Sequence, residues 1–304
     1  MFDTFSRAAW AALGADEFDL TADALAGLKG VNEPITLSEA RHVFGPLSRL
    51  INLRLDAAST AAAGVERALF GREPRMRPFI VGIAGSVAVG KSTFARILRA
   101  ALAQGGAPRR VELVATDGFL FPTDVLKAKG LMARKGFPET YDLRKILRFL
   151  ADVKAGAPTL DVPMYSHELY DIVPGKFQVV QQPEILIFEG LNVLQTAGDT
   201  AVVASDFIDF AIYIDAEHDI IENWYVERFL SLQATVFQRP HSYFHHYRDL
   251  SKEEAVAVAE DIWRSINLPN LTKNIRPTRE RADLVVRKGI GHDVDEVWLR
   301  RLFR

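Results

Sequence analysis

Hydrophobic positions along this chain follow two alternating patterns. Short apolar runs occur at Phe79–Ala84, Val111–Ala115, Glu184–Gly190, Phe207–Ile214 and Ala282–Val286. A run with no polar member, such as Phe79–Ala84, reads as a strand buried on both faces. Between these runs the apolar residues recur at helical spacing. Phe94, Ile97, Leu98 and Leu102 form one such stripe, and Ile146, Leu147, Leu150 and Val153 form another within Leu143–Val153. Residues 217–233 and 251–266 also read as helices. Strands alternating with helices predict an α/β fold with a mainly parallel sheet, right-handed crossovers and helices on its flanks. Ligands of such sheets gather at the C-terminal ends of the strands.

The first 75 residues have a different texture. Helix starts are legible at Leu20–Asp23, with Gly30 as its stop, and at Thr36–Glu39, where Thr36 or Ser38 is the cap. Leu47, Leu50, Ile51, Leu53 and Leu55 supply an apolar stripe, and Gly71–Pro78 is a polar linker with two prolines. Residues 1–75 are therefore expected to form an N-terminal helical extension packed on a core of residues 76–304. Within that core, residues 158–182 hold several prolines and short β-like pieces such as Phe177–Val180.

One stretch carries a chemical signature. Gly85, Gly90, Lys91 and Ser92 fit G-x-x-x-x-G-K-[ST], the phosphate-binding P-loop, and they lie between a buried strand and a helix start. In that setting the backbone N–H groups from Gly85 through Ser86, Val87, Ala88, Val89 and Gly90 to Thr93 cradle phosphate, aided by the helix dipole. Lys91 is expected to reach the β- and γ-phosphates of ATP, and Ser92 to place a hydroxyl on Mg²⁺. Two acids fall at strand ends beside this loop. Asp117, followed by Gly118, is a candidate to accept the proton of an attacking hydroxyl, or else a turn former. Glu189 resembles the acid that ends the second strand of such sites, either holding Mg²⁺ through water or orienting the acceptor.

Composition narrows the alternatives. A net charge of −2 gives no bias toward nucleic acid or an anionic membrane, and no apolar run reaches the length of a membrane span. The N-terminus lacks a basic stretch before an apolar core, so it does not read as a secretion signal. No cysteine is present, which excludes disulfides and thiolate metal sites and fits a reducing cytoplasm. The chain has no [NT]-K-x-D guanine motif and no G-x-G-x-x-G. In the segment His241–Tyr247, His241 and His245 are four apart, but Phe237, Tyr243, Phe244 and Tyr247 make an aromatic wall or lid the better reading. The basic run Arg276–Arg281 reads as a solvated face, with phosphate contact as the alternative.

Several segments resemble one family. GSVAVGKST, TDGFL (Thr116–Leu120), KGFPETYD (Lys135–Asp142), YSHELYDIVP (Tyr165–Pro174), FEGLNVLQ (Phe188–Gln195), SDFIDFAIYIDA (Ser205–Ala216), SYFHHY and PTRERADLV (Pro277–Val285) are similar to the prokaryotic type I pantothenate kinases. The similarity runs from near residue 10 to His292. It implies a P-loop kinase fold of the uridine kinase/phosphoribulokinase-like group. The implied reaction is ATP-dependent phosphorylation of pantothenate to 4′-phosphopantothenate, the first step toward coenzyme A. A cytoplasmic homodimer, feedback inhibition by coenzyme A and a lid within about 217–270 are also implied. By motif, Lys91 and Ser92 serve the triphosphate and Mg²⁺, and Asp117 faces the acceptor hydroxyl. Tyr165, His167, Tyr170, Tyr225 and Asn267 resemble the pantothenate contacts, and Arg228 a lid arginine near the transferring phosphate. Phe229, Phe244, Ile262 and Ile266 resemble the apolar wall, Asn32 and His292 the pair flanking adenine, and Lys29 and Arg96 the contacts to coenzyme A phosphates. Leu232 stands where that wall has an aromatic residue, and the segment after Gln195 is shorter than the pattern. Two competing readings are a P-loop kinase for uridine or a sugar phosphate, and a P-loop ATPase that switches a partner.

Overall fold

The computed structural model describes all residues except 15–17, 19, 31–33, 105–107, 196–201 and 302–304. Its centre is β2 (Phe79–Gly85), whose seven residues are all buried. The parallel neighbours β6 (Ile185–Glu189) and β7 (Phe210–Asp215) are likewise buried along their whole length. Strands hidden on both faces need helices on both faces, which is why these runs carry no polar alternation. β3 (Val111–Ala115) pairs parallel to β6, and β8 (Leu284–Lys288) parallel to β7.

Two strands were not legible from the runs. β1 (Phe2–Ser6) pairs antiparallel to β9 (Val294–Arg300), which pairs antiparallel to β8. The full order is β1-β9-β8-β7-β2-β6-β3. The expectation of a purely helical stretch over residues 1–75, and of a last strand at Ala282–Val286, is corrected accordingly. Both missed strands lie at one edge, where the burial pattern is mixed and the apolar signal is diluted. β4 (Thr159–Ser166) and β5 (Asp171–Gln181) form a separate antiparallel hairpin.

The early helices α1 (Arg7–Ala11), α2 (Ala22–Leu28) and α3 (Leu37–Ala68) precede the central strand. Thr36, not Ser38, caps α3 by accepting from Glu39 N at 3.1 Å. The helix is bound inward by Trp10 Nε1, which donates to Val43 O at 3.0 Å, and by the Phe44–Phe94 ring pair at 4.6 Å. Phe94 belongs to α4 (Lys91–Gln104), the helix that follows the P-loop. α5 (Thr123–Ala128) and α6 (Leu143–Lys154) lie between β3 and the hairpin. α7 (His218–Ala234) and α8 (Lys252–Ile262) form a pair beyond β7. The predicted single helix over 251–266 instead continues through π-helical turns at Trp263–Asn267 and Leu271–Ile275. Such turns often mark functional sites, because they re-aim side chains that an α-helix would point elsewhere.

The Arg276–Arg281 run turns out to be tied down on its own surface. Arg279 Nη1 pairs with Asp215 Oδ2 at 3.0 Å, and Arg281 donates to Ser205 Oγ at 3.0 Å. These contacts fasten the end of β7 and the turn before it. Among the described residues, no helix is long and apolar enough to cross a membrane.

Candidate active site

The P-loop leaves β2 at Gly85, whose φ is +149°; a Cβ there would meet Ile214 O at 2.6 Å. Only glycine tolerates both the backbone angle and the approach of the neighbouring strand. Ala88 and Gly90 also take positive φ, at +62° and +94°, curving Ser86–Gly90 around a concavity at the start of α4. Ser86 and Val89 are buried, while Val87, Ala88 and Lys91 are half-buried. Lys91 Nζ donates to Ser86 O at 2.7 Å, holding the ammonium across the mouth of the loop.

Glu189 ends β6 beside this loop, 7 % exposed. Ser92 Oγ donates to its Oε1 at 2.9 Å. Burial pushes the Glu189 carboxyl up, Lys91 pulls it back down and Asp117 raises it. A buried carboxylate and a hydroxyl in contact form a pair of hard oxygen donors, the donor type that suits Mg²⁺. Among the described residues no cluster of three or more His, Asp or Glu forms a denser cation cage.

Asp117 lies two residues beyond β3 in a single 3₁₀ turn, Thr116–Phe119. That turn is clamped on two sides. A Cβ on Gly118 would meet Pro163 O of β4 at 2.4 Å, and one on Gly190 would meet Thr116 Oγ1 at 1.8 Å. The ends of β3, β6 and the hairpin are thereby packed backbone to side chain, with Asp117 and Glu189 on adjacent strand ends. His167, from the tip of the hairpin, lies 3.7 Å from Asp117 and is exposed on its outer side. The surrounding protein lowers the imidazole pKa, Asp117 opposes that shift, and Arg228 and Lys91 add to it.

Lys135 is the residue that motif reasoning on single positions missed. It is 8 % exposed. Its ammonium donates to Thr123 Oγ1 at 3.1 Å and to Tyr170 O, and lies 4.1 Å from the Tyr170 ring centroid. Burial lowers its pKa to about 8, against the charges of Asp171 and Asp117, which raise it. Nothing in local spacing distinguishes this lysine from a surface one; only its place in the segment Lys135–Asp142 marked it. The adjacent Gly136 O accepts from Asn192 Nδ2 and Asn270 Nδ2, both at 3.0 Å, so the segment is fixed from two sides.

An aromatic wall closes the far side. Tyr170 has φ +53° and packs against Tyr243 at 5.0 Å and Phe244 at 4.9 Å. Phe244 continues to Phe237 at 5.2 Å, and Phe237 to Phe229 of α7 at 5.3 Å. Leu232 and Ile262 pack on this cluster. His245 Nδ1 faces Phe237 O at 3.0 Å, a backbone contact that fits the wall reading of the segment. Tyr165 stacks edge-on to His167 at 5.2 Å. Tyr225 of α7 packs against Trp263 at 5.7 Å, and Asn267, in the first π-helical turn, hydrogen-bonds it. Burial raises the phenol pKa of Tyr165, Tyr170 and Tyr225, so all three remain neutral hydrogen-bonding groups. Arg228 and Ile266 are half-buried, Arg228 one helical turn from Tyr225 on α7.

The remaining predicted positions lie behind the P-loop. Arg96 Nε donates to Leu28 O at 2.8 Å and its Nη2 to Thr93 Oγ1 at 2.9 Å. Arg96 thereby reaches the last residue of α2, whose C-cap is the exposed Lys29. His292 borders a recess with Pro34, Ile35, Gly90 and Phe94. Asn32 lies outside the described residues, as does most of the shortened segment after Gln195.

This geometry agrees with comparisons to known proteins. Residues 80–232 match the family described as Phosphoribulokinase / Uridine kinase. The chain is 52 % identical to a pantothenate kinase of Sorangium cellulosum, over 99 % of this chain and 98 % of that one. It is also 52 % identical to a pantothenate kinase of Corynebacterium aurimucosum, over 98 % and 96 % of the two chains. Among solved structures, a D-glycerate 3-kinase of Cryptococcus neoformans shares the fold with a TM-score of 0.57 at 15 % identity, covering 82 % of this chain and 96 % of that one. With its P-loop at the end of β2 and its similarity running almost end to end, the chain belongs to the pantothenate kinase family of P-loop kinases.

Proposed function

We propose that this enzyme transfers the γ-phosphoryl group of ATP to the primary hydroxyl of pantothenate, giving 4′-phosphopantothenate, the first step toward coenzyme A. The observation that supports this reading is that Asp117 lies near Glu189 at the end of β6 and also near His167, Tyr165 and Tyr170 of the hairpin. On one side lie Lys91, Ser92 and Glu189; on the other lie His167, Tyr165, Tyr170, Tyr225 and Asn267. Pantothenate has hydroxyls, an amide, a carboxylate and a gem-dimethyl group, so its pocket needs a few polar groups in an apolar wall. Phe229, Phe244, Ile262 and Ile266 supply that wall. A switch ATPase would not need an acceptor cleft of this kind.

The residues divide the work as follows. Backbone N–H groups of Gly85–Thr93 hold the triphosphate, and Lys91 offsets charge that grows on the β- and γ-phosphates during transfer. Ser92 and Glu189 would hold Mg²⁺, which neutralises phosphate charge when bound. Asp117 orients the acceptor hydroxyl and takes its proton, while Lys135 offsets the carboxylate charge and His167 holds an acceptor oxygen. Arg228 on α7 faces the transferring group. Asn32 and His292 flank the adenine. The same reading makes the enzyme a homodimer in the cytoplasm.

Feedback by coenzyme A follows from overlap at the phosphate site. Arg96 bonds Thr93 and the carbonyl of Leu28, the residue before Lys29, so added phosphates there would meet Arg96 and come near Lys29. Paired N–H donors suit arginine to that role.

Three outcomes are expected. Phosphoryl transfer is loose, so Asp117 contributes mainly through orientation and proton acceptance. In Asp117→Asn, kcat with pantothenate should fall by about 10²–10⁴-fold while ATP affinity is retained. A parallel loss of ATP binding would move Asp117 to the nucleotide or metal side. The second concerns Lys135, a cation whose pKa is lowered to about 8. Its charge is present below that value and lost as pH rises through it. The kcat/KM for pantothenate should therefore decline above pH about 8 in wild type. In Lys135→Arg that alkaline limb should vanish, because arginine keeps its charge; a limb that persists would assign it to another group. Third, initial rates at varied ATP and fixed coenzyme A should show competitive inhibition, weakened in Arg96→Ala more than ATP binding is. Inhibition that high ATP cannot relieve would contradict the shared site.

A further inference from the structure

The turn joining β8 to β9 carries an imidazole on left-handed backbone. His292 has φ +67°, a left-handed turn conformation that histidine adopts more readily than most side chains, and the turn is closed by Gly289 N donating to Asp293 O at 2.8 Å. One side chain of α7 packs against this turn. The Trp224 indole lies nearly flat on the His292 ring, with centroids 4.1 Å apart and planes 17° apart. Trp224 Nε1 also donates to Ile290 O at 3.0 Å, gripping the same turn at a second point. Lys288 completes the assembly, with its ammonium 5.4 Å from the Trp224 ring centroid and donating to Val89 O of the P-loop at 3.2 Å.

The position of Trp224 on α7 gives this contact its meaning. It is 4 % exposed, and the next residue is Tyr225 on the acceptor side, with Arg228 one turn further. One residue of the helix that carries the acceptor-side groups is thus built into the turn on the nucleotide side. His292 borders the recess beside Gly90 and Phe94, its Nδ1 is buried without a hydrogen-bond partner, and one face of its ring is covered by the indole. Burial and the Lys288 charge hold its pKa near 4, against the pull of Asp293, so the ring is neutral at neutral pH. A neutral, flat, backed ring is suited to stacking on a purine.

We propose that Trp224 is a positioning residue for the nucleotide base: it backs the His292 ring as the wall on which the purine rests and locks α7 to that wall. This rests on the assignment of His292 as a base contact. Stacking loss in Trp224→Leu should raise the KM for ATP by roughly 3- to 10-fold. Competition by inorganic tripolyphosphate, which has phosphates and no base, should be unchanged. Trp224→Phe, which keeps a ring, should restore most of the ATP affinity. It should also abolish a change in tryptophan emission that ADP, but not tripolyphosphate, causes in wild type.

The outcomes separate the two readings. If His292→Ala leaves the ATP KM unchanged, the base assignment fails and this proposal with it. If His292→Ala raises the KM and Trp224→Leu does not, Trp224 alone is misassigned. Equal weakening of ATP and tripolyphosphate would make Trp224 a core residue only, and overturn the proposal. Should Trp224→Leu not fold, the emission experiment decides: an ADP-induced change that survives in Trp224→Phe contradicts the positioning role.

Discussion

The spacing of the active edge rests on one steric contact, Gly190 against Thr116. The position of a Cβ on Gly190 falls 1.8 Å from Thr116 Oγ1. No larger residue fits there unless the ends of β3 and β6 separate. Because Glu189 precedes Gly190 and Asp117 follows Thr116, that contact fixes how far apart the two carboxylates stand. The parallel register carries the constraint onward, pairing Ala115 with Glu189 and Glu189 with Ile83. The P-loop begins two residues after Ile83, at Gly85. The P-loop, Glu189 and Asp117 are therefore placed by three adjacent strand ends.

The same packing sets the electrostatics. Glu189 is pushed up and Lys135 pushed down in pKa, and burial is the first cause of both shifts. Each buried charge is partly offset by an opposite one: Lys91 for Glu189, Asp171 and Asp117 for Lys135. Charges held in such a site act more strongly on a substrate than they would in water. Their positions are also preset, because Lys135 sits on a segment whose Gly136 carbonyl is bound by Asn192 and Asn270. On the other side, α7 and the first π-helical turn bring Tyr225 and Asn267 together.

Much of this was legible in the residue pattern, for physical reasons. Strands buried on both faces leave nearly unbroken apolar runs, as β2, β6 and β7 do, and the shorter apolar stretches of β3 and β8 were legible beside them. The P-loop was legible because its glycines and its lysine have roles that few other residues can fill, as the positive φ of Gly85 and Gly90 illustrates. β1 at the sheet edge and its neighbour β9 were not legible, since they bury few of their residues and mix apolar with polar positions. Lys135 and Trp224 were missed as individuals because their significance is tertiary. A lysine becomes unusual only when the fold buries it under Tyr170, and a tryptophan one residue from Tyr225 looks like ordinary core until His292 is seen stacked on it.

The central claim is that the cleft beside Asp117 takes pantothenate and that ATP turnover depends on it. The direct measurement is ADP release by the purified enzyme with pantothenate, with uridine and with no acceptor. ADP release is expected with pantothenate alone, matched mole for mole by 4′-phosphopantothenate. Comparable release with uridine, or with no acceptor at all, would contradict it.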